Sequence, residues 1–162
     1  MKKVHQIILL IIISLALFTP VVGGSTATQD ITITAEPINE VSLSKTTLSL
    51  TITPPTEDLV EEEVIDSSTT LSYSTNQTNQ KITVTVDRTL PLGLTLLVEA
   101  TSTGGVSSGA IALDTSANNL ITDLSNLSDS GETVTYTLKA NKFAEPTASE
   151  TFTVTYTITS SS

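Results

Sequence analysis

The strongest constraint on the fold is an alternation of threonine with apolar residues that recurs along the chain. Across residues 151–159, threonine occupies every odd position and an apolar residue every even one. A two-residue period places successive side chains on opposite faces, which is typical of a half-buried β-strand and not of a helix. The even positions are therefore expected in a core, with the threonines facing water: Phe152, Val154, Tyr156 and Ile158.

Several other segments show the same period. The clearest contain Ile31, Ile33 and Ala35; Leu48, Leu50 and Ile52; Ile82, Val84 and Val86; and Val134, Tyr136 and Leu138. Further strands are expected at residues 94–100, 110–113, 70–74 and 120–124, with turns at 76–79, 90–93, 103–105, 129–131 and 141–146. Eight or nine short antiparallel strands at this spacing predict an all-β sandwich of Ig-like or pilin-like type.

Residues 54–66 depart from the alternation. Pro54 and Pro55 end the preceding pattern, and a run of acidic residues follows. Prolines interrupt strands, and carboxylates resist burial unless they are paired. The segment is therefore predicted to be a surface loop or one short helix.

The N-terminal region has the features of an export signal. Lys2 and Lys3 precede an apolar stretch over residues 7–18, and small residues follow Pro20. This pattern predicts a signal peptide over residues 1–27, cut after Ala27, and a single domain over residues 28–162. An uncleaved anchor is the alternative, although the apolar run is shorter than the roughly 20 residues that span a bilayer. No stable membrane span is expected after cleavage, and the protein is expected outside the cell or on its surface.

Charge and cysteine content limit the partners and the source of stability. The chain has 17 acidic and 7 basic residues, for a formal net charge of −10, and two of the cations lie in the predicted signal. An acidic protein is a poor ligand for nucleic acid or anionic membranes, because both bind clustered cations. There is no cysteine, so the fold must be stable without disulfides.

The residue inventory argues against catalysis. His5 and Met1, the only histidine and methionine, lie in the predicted signal, and the chain has no cysteine or tryptophan. Nucleophilic triads, imidazole acid–base chemistry, and zinc or haem sites therefore lack their side chains. A glycosidase with two carboxylates would need an aromatic-lined cleft. Only Tyr73 and Phe143 are expected near possible rims, so we expect no enzyme and no cofactor.

Two weaker kinds of site remain open. Calcium takes oxygen ligands alone, and Asp58, Glu61, Glu62 and Asp66 are the candidates, although no calcium-loop motif is present and a solvated acidic loop is the simpler interpretation. Two glycosylation sequons occur, at Asn76 and Asn126, both in predicted loops.

Residues 28–37 suggest how the domain could assemble. A polar start leads into the alternating segment with Ile31, Ile33 and Ala35 and ends at Pro37. Such a strand can add to the open edge of another subunit, and a head-to-tail repeat of that contact builds a filament. An ordinary first strand, paired within its own domain, is the alternative interpretation.

At residues 30–37, at residues 75–86 and in the threonine-alternating last strand, the chain resembles the major subunits of class 5 chaperone-usher fimbriae. The resemblance implies that Ile31, Ile33 and Ala35 enter the groove of a neighbouring, identical subunit. It also implies that a dedicated chaperone holds the unpolymerised form.

Two classes of function are therefore expected from the sequence. The first is a secreted structural or adhesive surface protein, such as a filament subunit assembled by N-terminal strand exchange. The second is a monomeric extracellular module that binds protein or polysaccharide. The absence of tryptophan argues against an aromatic sugar-binding platform.

Overall fold

The computed structural model describes residues 25–55, 61–145 and 149–161. The chain divides into two units, Met1–Ala35 and Glu36–Ser162. In the first unit, the described residues 25–35 form no strand. All the strands formed by described residues lie in the second unit, whose described residues contain no helix. The predicted all-β sandwich of antiparallel strands is confirmed.

The described residues of the second unit form nine strands: β1 (Asn39–Leu43), β2 (Glu62–Thr75), β3 (Gln80–Val86), β4 (Leu94–Ala100), β5 (Val106–Ser107), β6 (Ile111–Ala112), β7 (Asn118–Leu124), β8 (Leu127–Ala140) and β9 (Val154–Ser160). One sheet has the order β1-β2-β8-β4-β6 and the other has the order β5-β7-β3-β9. Every pairing is antiparallel. Strands β1 and β9, at the ends of their sheets, contact each other.

The core lies between the two sheets, where the apolar positions of the alternating strands meet. One sheet contributes residues such as Leu71, Val98 and Val134, and the other contributes Ile82 and Leu120, all of them fully buried. Burying a large aliphatic side chain stabilises a fold by roughly 1.5–3 kcal/mol. Because the chain has no disulfide, this layer and the strand ladders hold the sandwich together.

The long pair β2–β8 contains two register shifts, one between Asp66 and Thr69 and one between Leu71 and Tyr73. The second shift corrects a prediction, since residues 129–131 were expected to form a turn and lie instead inside β8. Gly131 has φ of 78°, which suits a β-bulge as well as a turn. Gly131 does mark a local change in backbone direction, but it lies at a bulge within β8 and does not end the strand.

Three other predictions need correction. Residues 31–35 and 48–52 form no strand, although Leu50 packs against the core. Alternation shows that a segment can bury one face, but it does not supply the neighbouring strand that a ladder requires. Residues 62–66, expected in a loop or short helix, begin β2, where the side chains of Glu62 and Glu63 are exposed and the backbone pairs with β8. Residues 56–60 of that segment lie outside the described part.

The remaining predicted strands are confirmed, although β2 and β8 extend well beyond the segments predicted for them. Residues 94–100 coincide with β4, and the last alternating segment forms β9. The segments with Ile82 and Val134 lie in β3 and β8. Strands β1 and β5 were not predicted.

Candidate functional site

The outer edge of β9 is the first feature with functional potential. Strand β9 pairs with β3 on one side and ends its sheet on the other. Asp87 N donates to Thr153 O and Ser161 N donates to Asn79 O, so odd-numbered residues of β9 bond to β3. In an antiparallel ladder the intervening residues point their N–H and C=O groups the opposite way. The backbone groups of Val154, Tyr156 and Ile158 therefore face the open edge.

Strand β1 offers a second open edge beside it. Among the residues that the structure describes, it pairs with β2 alone, and it begins the other sheet. Its inward residues Val41 and Leu43 are half-buried and pack against the core. We name the side of the sandwich bounded by the outer edges of β1 and β9 the open side.

The core is incompletely covered at the open side. In β9 the inward residues Val154, Tyr156 and Ile158 are half-buried, whereas their neighbours Ile82 and Val84 on β3 are fully buried. Half-burial of a strand's inner face at the end of a sheet is expected where one more strand could lie alongside. Within the described part of the chain, the open side thus combines unpaired strand edges with partly covered apolar side chains.

Residues 25–35, which we name the arm, carry the predicted donor residues. The side chains of Ile31 and Ile33 are 74% and 87% exposed, and Ala35 is exposed as well. Large aliphatic side chains are usually buried. Two exposed isoleucines on one alternating segment therefore form an apolar surface of the kind that binds a partner. The sequence picked out these residues correctly as an alternating segment and was wrong to place them in a strand.

A hydroxyl pair joins the two sheets behind the open side. Tyr136 on β8 and Tyr156 on β9 have their hydroxyl oxygens 2.7 Å apart. Burial raises the pKa of both phenols, so both remain neutral at ordinary pH. Both were expected in the core from their strand positions, and the pair explains how their polar ends are satisfied there.

A second polar cluster fastens residues 101–104 to β8. The Asp129 carboxylate accepts bonds from the Tyr73 hydroxyl at 3.0 Å and from Thr103 N and Gly104 N at 3.1 Å. Glu132, only 7% exposed, accepts from Thr101 Oγ1 and from the backbone and side chain of Thr103. These are bonds within the fold, so the two carboxylates act as acceptors that hold a loop.

The electrostatics of this cluster follow from its bonds. Burial raises the pKa of Asp129, but the bonds from Tyr73, Gly104 and Thr103 outweigh it, and the pKa lies below its usual value. Tyr73 is 2% exposed, which corrects its expected place near a rim. The aromatic wall that a sugar cleft would need is therefore not formed by Tyr73.

The calcium candidates are not brought together. Asp58 lies outside the described residues, and the Oε2 atoms of Glu61 and Glu63 lie 3.9 Å and 3.8 Å from Lys139 Nζ. Glu62 and Asp66 are four positions apart on one strand, or roughly 13 Å, too far to share an ion. Asp66 Oδ1 accepts from Ser68 N and Ser68 Oγ, which lowers its pKa. Within the described ranges, no three acidic residues, histidines or cysteines are grouped as metal ligands would be.

The two sequon asparagines lie at the same end of the sandwich and line one shallow groove with Ile38 and Leu127. Asn126 is exposed in a tight turn with φ of 48°. Asn76 is also exposed, but both ends of its carboxamide bond to the backbone of residues 36–38. The sequon pattern indicated Asn76 as a glycosylation site and carried no signal of these bonds to residues 36–38.

Phe143 forms the other expected rim. It is 61% exposed, with Lys142 Nζ 5.0 Å from the centre of its ring, and Leu92 on an adjacent turn is 78% exposed. The two turns touch at Gly93, whose carbonyl accepts from Asn141 N at 3.0 Å. This tip presents a small apolar surface distant in sequence from the arm.

Comparisons with protein-family models, with curated proteins and with solved structures gave no match. Across the described residues, no helix has the length and apolar character needed to cross a bilayer.

Proposed function

We propose that this protein is a non-enzymatic structural subunit outside the cytoplasm that polymerises by strand addition, with the arm of one copy pairing along the open side of the next. One observation carries the proposal. The arm exposes Ile31 and Ile33, while the sandwich formed by the described residues has unpaired edges and a half-covered core at β1 and β9. The two features are chemically complementary.

Backbone and side chains would both contribute to the contact. An added strand would satisfy the outward N–H and C=O groups of Val154, Tyr156 and Ile158, at about 0.5–1.5 kcal/mol for each hydrogen bond. Burying Ile31 and Ile33 would add roughly 1.5–3 kcal/mol each. A contact between the arm of one copy and the edge of the next is heterologous, so that, unless its rotation closes a ring, it repeats head to tail and builds a filament.

The same features suggest that the unassembled subunit needs a chaperone. An exposed apolar arm and an open strand edge are both prone to non-specific association and aggregation. A chaperone that covers the open side until assembly would prevent this. The expected export signal supports assembly outside the cytoplasm. The lack of cysteine leaves strand pairing and core burial as the sources of strength.

The direct test compares the chain from Thr28 with a version that begins at Glu36, which keeps the bond from Asn76 to Glu36 O. Light scattering over a concentration series and electron microscopy would report assembly. We expect filaments from the longer version alone, and a higher melting temperature for the shorter one when a peptide of residues 28–35 is added. A longer version that stays monomeric at every concentration would contradict the proposal and favour a monomeric binding module.

A further inference from the structure

The ladder between β1 and β2 continues beyond the ends of both strands. The register of β1 and β2 places Ile38 opposite Asn76, and Asn76 N donates to Ile38 O at 3.3 Å. In a regular ladder, Ile38 N would return a bond to the backbone carbonyl of Asn76. It bonds instead to the side-chain Oδ1 of Asn76 at 2.8 Å. The carboxamide therefore takes the place of a backbone group.

The other end of the same carboxamide holds the chain two residues earlier. Asn76 Nδ2 donates to Glu36 O at 2.8 Å. Between the two bonded residues lies Pro37, which has no N–H to satisfy and a fixed φ. Residues 36–38 are thus held at both ends by one side chain and stiffened in the middle.

The orientation of the carboxamide is fixed by its partners. Ile38 N and Gln77 Nε2 both donate to Oδ1, the latter at 2.8 Å, while the Glu36 carbonyl requires a donor. Only an amide offers an acceptor and a donor at this reach. Aspartate keeps the acceptor and loses the donor, and alanine loses both.

We propose that Asn76 is a positioning residue that fixes residues 36–38 on the sandwich, so that the segment available for strand addition ends at Ala35. The inference rests on the proposed function, because it assigns the boundary between the exchanging arm and the fixed domain. A fixed boundary gives every subunit the same spacing between its own sandwich and the one that its arm enters. Without it, only the backbone bond from Asn76 N still holds Ile38, and the spacing set by residues 36–38 becomes variable.

The test compares Asn76→Asp and Asn76→Ala with the full chain, and Asn118→Ala serves as a matched control. Asn118 also bonds through its carboxamide, to Asp114 Oδ1 and Ser116 O, but it lies near the opposite end of β3. Hydrogen exchange of the Ile38 amide reports the clamp in the unassembled protein. We expect exchange about five- to tenfold faster in Asn76→Ala, no change in Asn118→Ala, and a smaller rise in Asn76→Asp, which keeps the acceptor.

Electron microscopy of assembled protein then reports the spacing. We expect Asn76→Ala filaments to lose their regular axial repeat, while the control keeps it. An unchanged Ile38 exchange rate in Asn76→Ala would overturn the inference, as would a regular repeat despite faster exchange. If exchange accelerates but even the unaltered chain forms no filaments, the proposed function fails while the assignment of Asn76 to residues 36–38 stands.

Discussion

The hydroxyl groups of Tyr136 and Tyr156 lie 2.7 Å apart and form a hydrogen bond between the two sheets. Tyr136 belongs to β8 in the middle of one sheet, and Tyr156 belongs to β9 at the end of the other. The bond therefore ties the strand at the open side to a central strand of the opposite sheet. It also satisfies two polar atoms in a core that consists mostly of aliphatic side chains.

Single and double Tyr→Phe substitutions at this pair should have non-additive effects on the free energy of unfolding. Tyr136→Phe or Tyr156→Phe alone leaves one buried hydroxyl without its partner and should lower the free energy of unfolding by about 1–3 kcal/mol. The double substitution removes both polar atoms and should cost less than the sum of the two single changes. Urea unfolding of the four proteins gives the interaction energy directly. Additive costs would show that the hydroxyls do not depend on each other.

Alkaline pH should unfold the protein through its tyrosines. The chain has three, and all three have a raised pKa, with burial as the largest cause and about 12 as the value for Tyr73. A phenol whose pKa is higher in the fold than in the unfolded chain, near 10, favours folding while it stays neutral. That stability is intact below about pH 10 and is lost as the pH rises toward about 12.

Urea unfolding from about pH 8 to about pH 11 measures this loss, and ultraviolet absorbance of the phenolate measures the titration. The folded protein should show no tyrosine ionisation near pH 10, and phenolate should appear together with unfolding. Tyr73→Phe should make the decline with pH shallower. A folded chain with a tyrosine that titrates near 10 would contradict the burial of all three rings.

Alternation was sufficient to predict most of the sandwich, for a physical reason. Where a strand has one face in the core, its apolar residues must recur at every second position, as they do in β3, β8 and β9. The same rule could not find β1, whose Val41 and Leu43 are the only apolar residues of a short, mostly polar strand. It also placed strands at Ile33 and Leu50, because a pattern within one segment says nothing about its neighbour.

The candidate site was predictable in part. Exposure of Ile31 and Ile33 agrees with the donor role suggested by their spacing, although the role itself stays a prediction. The sequence could not indicate the acceptor, because an open edge is a property of sheet order, and strands distant in the chain, β1 and β9, meet there. The bonds of Asn76 to residues 36–38 were equally hidden, since they join positions about forty residues apart.

Two glycines with similar backbone angles should respond differently to alanine. Gly93 has φ of 79°, and an added Cβ would lie 2.3 Å from Ala144 N and 2.6 Å from Phe143 C. Gly109 has φ of 73°, and an added Cβ would meet nothing within 4 Å. Both substitutions carry the left-handed strain of about 1–2 kcal/mol, but Gly93→Ala must also push two backbone segments apart.

Thermal and urea unfolding of Gly93→Ala and Gly109→Ala should therefore distinguish the cost of left-handed backbone strain from the cost of the steric clash at Gly93. We expect Gly109→Ala to lose about 1–2 kcal/mol and Gly93→Ala to lose clearly more, or to fail to fold. Equal losses would mean that the turns at residues 90–93 and 141–145 do not touch at Gly93.

The most direct test of strand addition compares two double variants that carry the same added charge on opposite faces of the arm. Ile31→Asp with Ile33→Asp changes the apolar face, and Thr32→Asp with Thr34→Asp changes the polar face with equal added charge. Light scattering and electron microscopy of each variant over a concentration series report assembly. We predict that the isoleucine variant stays monomeric and fully folded, because burying its two carboxylates in the open side would cost too much free energy. The threonine variant should still form filaments. Filaments from the isoleucine variant, or equal loss of assembly in both variants, would contradict strand addition by the arm.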